Sequence, residues 1–328
     1  MQQLASEPWF PSSENAFTVF AAITHDCNLK CLHCFSAVDG EEKQTILNDE
    51  EWFILFDQLA ELEKPRLFFT GGEPLVHPSF MKLAAYASNK SIPIILGTNA
   101  TFITPSVSKE LSGAGIKEAR VSIDGASATT HDLLRGDGAF EKAKQGLFSL
   151  IDEGISVSIR TTVNKWNYQE LSKIEDLVVQ WNVFDWEIKH IIPTGRALLN
   201  PELQITSKER AISLKPILER AVTNFYPQLK IKLMEGTLSP DIDVPESLKI
   251  ASCPAGSRMM VVQPTGDVIP CGYLASSYIG NIKQKSLSEI RAEWDKRPTF
   301  TLPTGCISCK HKKSCKGGCP AFNFCAED

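Results

Sequence analysis

The feature that most constrains the fold is an alternation of short β-rich runs and longer amphipathic segments between residues 17 and 190. Runs rich in β-branched and aromatic residues predict six strands, at 17–23, 66–69, 93–96, 118–123, 156–161 and 185–188. Helical periodicity predicts five helices between them, at 49–62, 78–88, 105–114, 139–153 and 169–179. Repeated strand–helix units predict an α/β fold with a parallel sheet. Because right-handed crossovers favour a curled sheet, we expect a partial (β/α)6 barrel of the TIM type, with an open doubly wound sheet as the alternative.

The alternation of predicted strands and helices ends after residue 191, which predicts a second, smaller domain. We expect an N-terminal extension at 1–16, a core at 17–235 that includes a helix at 207–224, and a C-terminal domain at 236–328. In that last domain, runs 259–262 and 268–270 flank the turn sequence Pro264-Thr265-Gly266-Asp267 and predict a β-hairpin. A short helix is expected at 287–294. The Cys-, Gly- and Lys-rich tail after residue 301 is expected to form loops organised by bound metal.

Composition excludes several classes of protein. No run reaches the roughly 18 apolar residues of a membrane span, and no secretory signal precedes the first strand. A net charge of −5 argues against nucleic-acid binding, despite a basic patch at 310–316. We therefore expect a cytoplasmic protein with neither nucleic acid nor membrane as a partner. Ten cysteines in a reducing compartment, crowded at 27–34 and after 252, suit thiolate ligands of a metal better than disulfides.

Two short motifs follow the first two predicted strands. Cys27, Cys31 and Cys34 have C-x3-C-x2-C spacing. Three thiolates can hold a four-iron cluster and leave one iron open, whereas a structural metal site takes four protein ligands. After the second strand, Thr70-Gly71-Gly72-Glu73-Pro74 offers two glycines that permit close backbone approach and a carboxylate that can accept from an ammonium group. Alone, that second motif could simply be a glycine- and proline-containing turn between a strand and a helix.

Together these motifs closely resemble the radical S-adenosylmethionine (radical SAM) superfamily. The resemblance implies that the three cysteines hold a [4Fe–4S] cluster and that Gly71, Gly72 and Glu73 contact the aminoacyl part of the cofactor. It implies further cofactor contacts with the adenine, the ribose or the carboxylate, namely Phe35, Ser122, Asp124 and Arg135. For Ser122 and Asp124 the alternative is a strand that ends in an Asp-Gly turn, and for Arg135 a surface arginine. Asn99 follows the third strand, where related sequences often read Thr-Asn-Gly, and receives no role.

The remaining seven cysteines follow a second pattern. Twelve residues separate Cys253 from Gly266, and Cys271 follows after four more; C-x2-C-x5-C-x3-C spacing and a final cysteine come next. This pattern resembles the SPASM extension of radical SAM enzymes. The resemblance implies an outer auxiliary cluster on Cys306, Cys309, Cys315 and Cys325, and an inner one on Cys253, Cys271 and Cys319. The inner set has three members, so its fourth iron is either open or bound by another group. For the segment 306–319 alone, a structural zinc site is the alternative.

The resemblance implies an oxidoreductase that uses S-adenosylmethionine and three [4Fe–4S] clusters to generate a 5′-deoxyadenosyl radical. We expect oxidative modification of a ribosomally made peptide or protein, by a crosslink, a thioether or another C–H functionalisation. The alternatives are side-chain modification of a tetrapyrrole in a haem or haem d1 pathway and maturation of a quinone cofactor. The loop 191–196 resembles a segment found in members of both the haem and the quinone pathways. Sulfatase-maturing relatives carry an acidic residue where Gly272 stands, which argues against that activity.

The expected partners are the peptide, protein or small-molecule precursor and an electron donor such as flavodoxin or ferredoxin. Fewer than 20 residues precede the first strand, so leader-peptide binding would need a discrete protein. The competing class is a zinc-stapled binding module. That class predicts a colourless protein and offers no reason for the Gly-Gly-Glu-Pro sequence.

Overall fold

The computed structural model describes residues 16–36, 46–183, 185–223, 226, 228–233, 253–255, 257–294, 307, 309, 312 and 319–321. Most of the predicted N-terminal extension, the start of the predicted C-terminal domain, and Cys306, Cys315 and Cys325 lie outside these residues. The domain boundaries and the outer cysteine set therefore stay predictions. Among the described residues, no helix is both long and apolar enough to cross a membrane. The expected cytoplasmic location also stays a prediction.

The described residues form ten strands and eight α-helices. The strands are β1 (Phe17–Ala22), β2 (Pro65–Thr70), β3 (Ile94–Thr98), β4 (Glu118–Ser122), β5 (Ser156–Val163), β6 (Asp185–His190), β7 (Lys230–Leu233), β8 (Met259–Val262), β9 (Asp267–Ile269) and β10 (Gly280–Asn281). The helices are α1 (Asp49–Ala60), α2 (Phe80–Asn89), α3 (Pro105–Gly113), α4 (Ala128–Arg135), α5 (Ala139–Asp152), α6 (Leu171–Gln180), α7 (Ser207–Val222) and α8 (Leu287–Trp294). Each predicted strand and helix is present, with ends that differ by a few residues.

The sheet runs in the order β10-β9-β8-β1-β2-β3-β4-β5-β6-β7. Strands β1 to β7 are parallel and lie side by side in chain order. A doubly wound sheet reverses direction part-way, whereas a barrel adds strands in one direction. The partial (β/α)6 barrel is therefore confirmed, and the doubly wound alternative is wrong.

The predicted hairpin is present but does not stand apart from the core sheet. Strand β8 pairs in parallel with β1, with Thr18 opposite Met259, and β9 pairs antiparallel with β8. The C-terminal segment thus extends the barrel sheet on its β1 edge. Because β9 runs antiparallel to β8, the cysteine that follows β9 lies toward the amino end of β1.

Alternate side chains of each strand lie on opposite faces of the sheet, one covered by the helices and the other facing the cavity. In β1, Phe17, Val19 and Ala21 pack into the core beneath the helices. Phe20 and Ala22, between and after them, line a cavity on the other face. Successive side chains of a strand point to opposite faces, so every strand contributes to both. The loops at the carboxyl ends of the strands then surround the mouth of the cavity, as in barrel enzymes.

Candidate functional site

The two cysteine sets that the structure describes meet at one cavity. Its volume is about 460 Å³, and it extends from the loops after β1, β2 and β3 along the inner face of the sheet. The thiols that line it are those of Cys27, Cys31, Cys34, Cys253, Cys271 and Cys319. We call the first three the N-terminal triad and the last three the inner triad. Residues more than 200 positions apart in the sequence therefore face the same space.

The described residues show no preformed site for a single metal ion. Among the described residues, no three His, Cys, Asp or Glu side chains converge so as to hold a single metal ion. A zinc site needs ligands that converge to about 2.3 Å from one point. A four-iron cube instead takes one thiolate on each iron, so its ligands stand farther apart. Each set of three cysteines matches the three-thiolate ligand set that a cluster with one open iron would take.

The Gly-Gly-Glu segment packs tightly against the loop that carries the N-terminal triad. Gly72 N–H donates to the Thr24 carbonyl oxygen (2.7 Å), and Glu73 N–H donates to the Asp26 carbonyl oxygen (2.9 Å). Gly71 has a φ of +129°, and a Cβ on it would lie 2.2 Å from the Thr24 oxygen. A Cβ on Gly72 would lie 2.0 Å from the Asp26 oxygen. Glycine is needed here because two backbones meet, and this contact brings the carboxylate of Glu73 next to the triad loop.

We expect Gly72→Ala to lower both stability and cofactor affinity. Overpacking of this kind costs about 1–3 kcal/mol, and the loop must shift because the obstacle is backbone. Thermal unfolding and S-adenosylmethionine binding by the reconstituted protein would measure the two effects. Gly113→Ala is the matched control, since its Cβ meets nothing within 4 Å and alanine suits a helix better. Equal behaviour of the two variants would contradict the role given to Gly72.

Glu73 presents a buried carboxylate to the cavity. Its Oε1 accepts from Thr98 Oγ1 and its Oε2 from Asn99 N–H, both at 2.8 Å. Burial raises the pKa of Glu73 to about 7, although these hydrogen bonds oppose the shift. An incoming ammonium group would restore the charged form. Sequence reasoning left Asn99 without a role and did not identify Thr98; the signal was their position at the end of β3.

Asp124 is a buried carboxylate that accepts hydrogen bonds from three residues around the cavity. Its Oδ2 accepts from Arg135 Nε (2.7 Å) and His33 Nε2 (3.0 Å), and its Oδ1 accepts from Thr162 N–H (2.7 Å). Burial alone would raise the pKa of Asp124, but Arg135 and His33 outweigh it and hold the pKa well below its usual range. Ser122, Arg135 and His33 line the cavity, whereas Asp124 does not. The direct cofactor contact expected of Asp124 stays a prediction.

Arg135 also lies beside a thiol of the N-terminal triad. Its Nη1 is 3.9 Å from Cys31 Sγ. Burial raises the pKa of the Cys31 thiol to about 11, and Arg135 opposes the rise. A thiolate at this position needs positive charge nearby, and bound iron supplies it. The Arg135 side chain is 10% exposed and lines the cavity, so Arg135 is not a surface arginine.

The loop after β6 braces the triad loop from the opposite side. Arg196 N–H donates to the Cys34 carbonyl oxygen and Arg196 Nε to the Cys31 carbonyl oxygen, both at 2.9 Å. Gly195 has a φ of +57°, and a Cβ on it would lie 2.5 Å from two carbonyl oxygens of the triad loop. This loop, which resembles a segment of haem-pathway and quinone-pathway members, thus holds the backbone between the second and third cysteines of the triad.

Phe35 connects the two triads. Its ring centroid lies 4.6 Å from that of Tyr273, two residues after Cys271. A Cβ on Gly272 would lie 2.5 Å from the Phe35 ring. The ring therefore fills the space that an acidic side chain at position 272 would need. Phe35 lines the cavity, and its expected contact with adenine stays a prediction.

Comparison with known proteins agrees with this geometry. A family model for the radical SAM superfamily matches residues 22–178, and one for the SPASM iron–sulfur cluster-binding domain matches residues 253–320. The chain is 30% identical to the AdoMet-dependent heme synthase of Methanosarcina barkeri, over 93% of this chain and 91% of the relative. The chain belongs to the radical SAM superfamily.

Other relatives of this radical SAM protein carry different names. The chain is 28% identical to the mycofactocin maturase MftC of Mycobacterium tuberculosis, over 92% of this chain and 78% of the relative. A solved structure described as native anSMEcpe with bound AdoMet superposes with a TM-score of 0.74 at 19% identity, over 95% of this chain and 91% of the other. At that identity the structure supports the fold alone. As a radical SAM/SPASM enzyme, the chain binds S-adenosylmethionine and iron–sulfur clusters.

Proposed function

We propose that this enzyme oxidises a substrate held between the N-terminal triad and the inner triad. The observation that carries the proposal is that all six thiols line one cavity. A product radical formed there must lose an electron to complete an oxidation, and an acceptor within the same cavity needs no transfer through protein. Net oxidation therefore suits this arrangement better than isomerisation.

The residues present fit the cofactors in number and chemistry. A [4Fe–4S] cluster on the N-terminal triad would reduce S-adenosylmethionine to methionine and a 5′-deoxyadenosyl radical, and clusters on the inner triad and on Cys306, Cys309, Cys315 and Cys325 would accept electrons. Glu73 would accept a hydrogen bond from the amino group of the cofactor. Arg135, fixed by Asp124, would pair with its carboxylate. Ser122 and Phe35 would contact the ribose and the adenine.

For the substrate we propose a tetrapyrrole whose carboxylate side chains are modified. The cavity wall has an apolar half and a cationic half. Apolar side chains come from neighbouring strands β8, β9, β1 and β2, namely Met259, Val261, Ile269, Phe20 and Phe68. Cationic side chains come from β4, β5 and β6, namely Arg120, Arg160 and Lys189. A flat apolar ring that carries carboxylates matches both halves, and the heme synthases among the relatives support this substrate class.

A ribosomally made peptide, which the sequence alone favours, is the second candidate. The mycofactocin maturases among the relatives support it at 28% identity over 92% of this chain. A peptide with acidic side chains would also satisfy a cationic wall. In this case a discrete leader-binding protein would be a further partner, and a flavodoxin or ferredoxin would donate electrons in either case.

Substrate-dependent turnover tests the proposal. The enzyme would be reconstituted anaerobically with iron and sulphide, mixed with S-adenosylmethionine and dithionite, and given either iron-coproporphyrin III or peptides encoded beside its gene. We expect iron-coproporphyrin III to accelerate 5′-deoxyadenosine formation and to lose mass itself. Acceleration by a peptide alone would select the second candidate. If the protein is colourless, contains zinc and forms no 5′-deoxyadenosine, the proposed enzyme activity is wrong. The zinc-stapled binding module would then be the remaining hypothesis.

A further inference from the structure

The inner face of the barrel carries more positive than negative charge where it meets the cavity. Arg120, Arg160 and Lys189 all line the cavity, and the carboxylate that faces them is that of Glu187. Glu187 is 1% exposed and is held by both arginines, with Arg120 Nη1 at 3.1 Å and Arg160 Nε at 2.8 Å. One carboxylate thus serves two guanidinium groups, and a third cation stands beside them.

Asp124, just beyond the end of β4, is held by Arg135 and His33, and two further acids lie farther down the barrel. Glu118 and Asp185 begin β4 and β6, away from the cavity mouth, and Asp185 is paired with Lys232 at 2.9 Å. Neither acid lines the cavity. Their negative charges partly offset the positive charge of Arg120, but they do not reach the upper end of the cationic half of the cavity wall. Arg160 and Lys189 therefore lie at the upper end of the cationic wall, above Arg120.

Lys189 lies between the two triads. Its Nζ is 5.1 Å from the ring centroid of Phe35, next to Cys34, and 5.1 Å from that of Tyr273, near Cys271. It also donates a hydrogen bond to the Tyr273 hydroxyl. Burial lowers the pKa of Lys189 to about 7, and nearby Arg160 adds to that effect. A buried ammonium group placed next to a guanidinium is unfavourable by itself, and an anion bound to both would offset the cost.

We propose that Arg160 and Lys189 form a subsite that binds a carboxylate of the substrate and holds it between the two triads. This proposal rests on the proposed oxidation and specifies which groups select the substrate. Arg160 can offer a second edge of its guanidinium while it keeps Glu187, and Lys189 can rotate its ammonium from Tyr273 to a ligand. The apolar wall on β1, β2, β8 and β9 would receive the body of the same molecule.

Matched acid and neutral probes test the subsite without knowledge of the natural substrate. We would titrate 1-pyrenebutyrate and its uncharged amide into the reconstituted enzyme in the presence of S-adenosylmethionine and follow pyrene fluorescence. A charged hydrogen bond contributes about 1.5–3 kcal/mol, so we expect the acid to bind about tenfold to a hundredfold more tightly than the amide. Equal affinities in the wild-type protein would overturn the proposal without any variant.

Substitutions then assign the preference to particular side chains. Arg160→Gln and Lys189→Met should each reduce the preference for the acid, while Arg160→Lys and Lys189→Arg should retain most of it. Lys165→Met is the matched control, because Lys165 is a half-exposed lysine just after β5 that pairs with Glu209 at the surface. A preference that survives in the double variant Arg160→Gln/Lys189→Met would contradict the proposal. So would a loss of S-adenosylmethionine affinity in these variants with the acid preference unchanged, because it would assign the pair to the cofactor.

A second probe pair separates failure of the subsite from failure of the proposed substrate. Coproporphyrin III and its tetramethyl ester differ in the same way as the pyrene probes. Selective binding of pyrenebutyrate without binding of coproporphyrin III would support the subsite and count against the tetrapyrrole. Selective binding of both acids, each dependent on Arg160 and Lys189, would support the two proposals together.

Discussion

Replacing the N-terminal triad should abolish cofactor cleavage, whereas replacing the inner triad should abolish product formation and leave cleavage in place. The first variant is Cys27→Ala/Cys31→Ala/Cys34→Ala, and the second is Cys253→Ala/Cys271→Ala/Cys319→Ala. Three four-iron clusters would give the wild type about twelve irons, and each variant should retain about eight. The split is expected because Gly71, Gly72 and Glu73 contact the first triad loop, while the inner triad lies across the cavity.

Iron and sulphide content, EPR of the reduced protein and 5′-deoxyadenosine formation would measure this pair of variants, with substrate consumption as the fourth quantity. Each variant serves as the control for the other, because both remove three cavity-lining thiols. Retention of all the iron by the inner variant would contradict a cluster at Cys253, Cys271 and Cys319. Product formed at an undiminished rate by that variant would contradict its place in the oxidation.

The strands could be predicted because their signals are local, and the prediction of the cysteine ligands rests on equally local spacing. Each parallel strand is a short apolar run bounded by turns, and the spacing of Cys27, Cys31 and Cys34 lies within one loop. Helix α4 was missed because Ala128–Arg135 has two threonines in its first turn and carries few apolar residues. Strand β7 was missed because lysines alternate with apolar residues in Lys230–Leu233, so this four-residue run has little apolar content.

The pairing of β8 with β1 could not be predicted, because it joins residues about 240 positions apart and depends on which sheet edge is open. The same is true of the buried cations. In Asp185–His190 the polar residues alternate with Trp186 and Ile188, as they would in a strand with one face in water. Only the curled sheet shows that Glu187 lies inside the barrel and that Lys189 lines a cavity. From the sequence alone, charged residues on the inner face of a barrel therefore predict a solvent-exposed face. Their true position becomes clear only when the pairing of the strands is known.

Asp124→Asn should weaken cofactor binding by about tenfold to a hundredfold, the usual cost of losing a partner that orients a ligand-binding side chain. The carboxylate fixes Arg135 through Nε and His33 through Nε2. With Nε2 directed to Asp124, His33 Nδ1 remains as an acceptor, and it has no hydrogen-bond partner among the described residues. An amide is nearly the same size but cannot balance a buried guanidinium. Both cavity-lining groups should therefore lose their orientation.

Stability should fall together with affinity, and the two effects can be separated. Removing one partner of a buried ion pair typically costs about 3–5 kcal/mol, which thermal unfolding would detect. Asp152→Asn, at the exposed end of α5, is the control and should change neither quantity. A purely structural role would lower the unfolding temperature while the folded fraction binds S-adenosylmethionine normally. A positioning role instead raises the KM for S-adenosylmethionine at temperatures where the variant is fully folded, and alters the EPR spectrum of the N-terminal cluster on cofactor addition. Since Arg135 Nη1 also approaches Cys31 Sγ, Asp124 would act on the cofactor and on the cluster through one guanidinium.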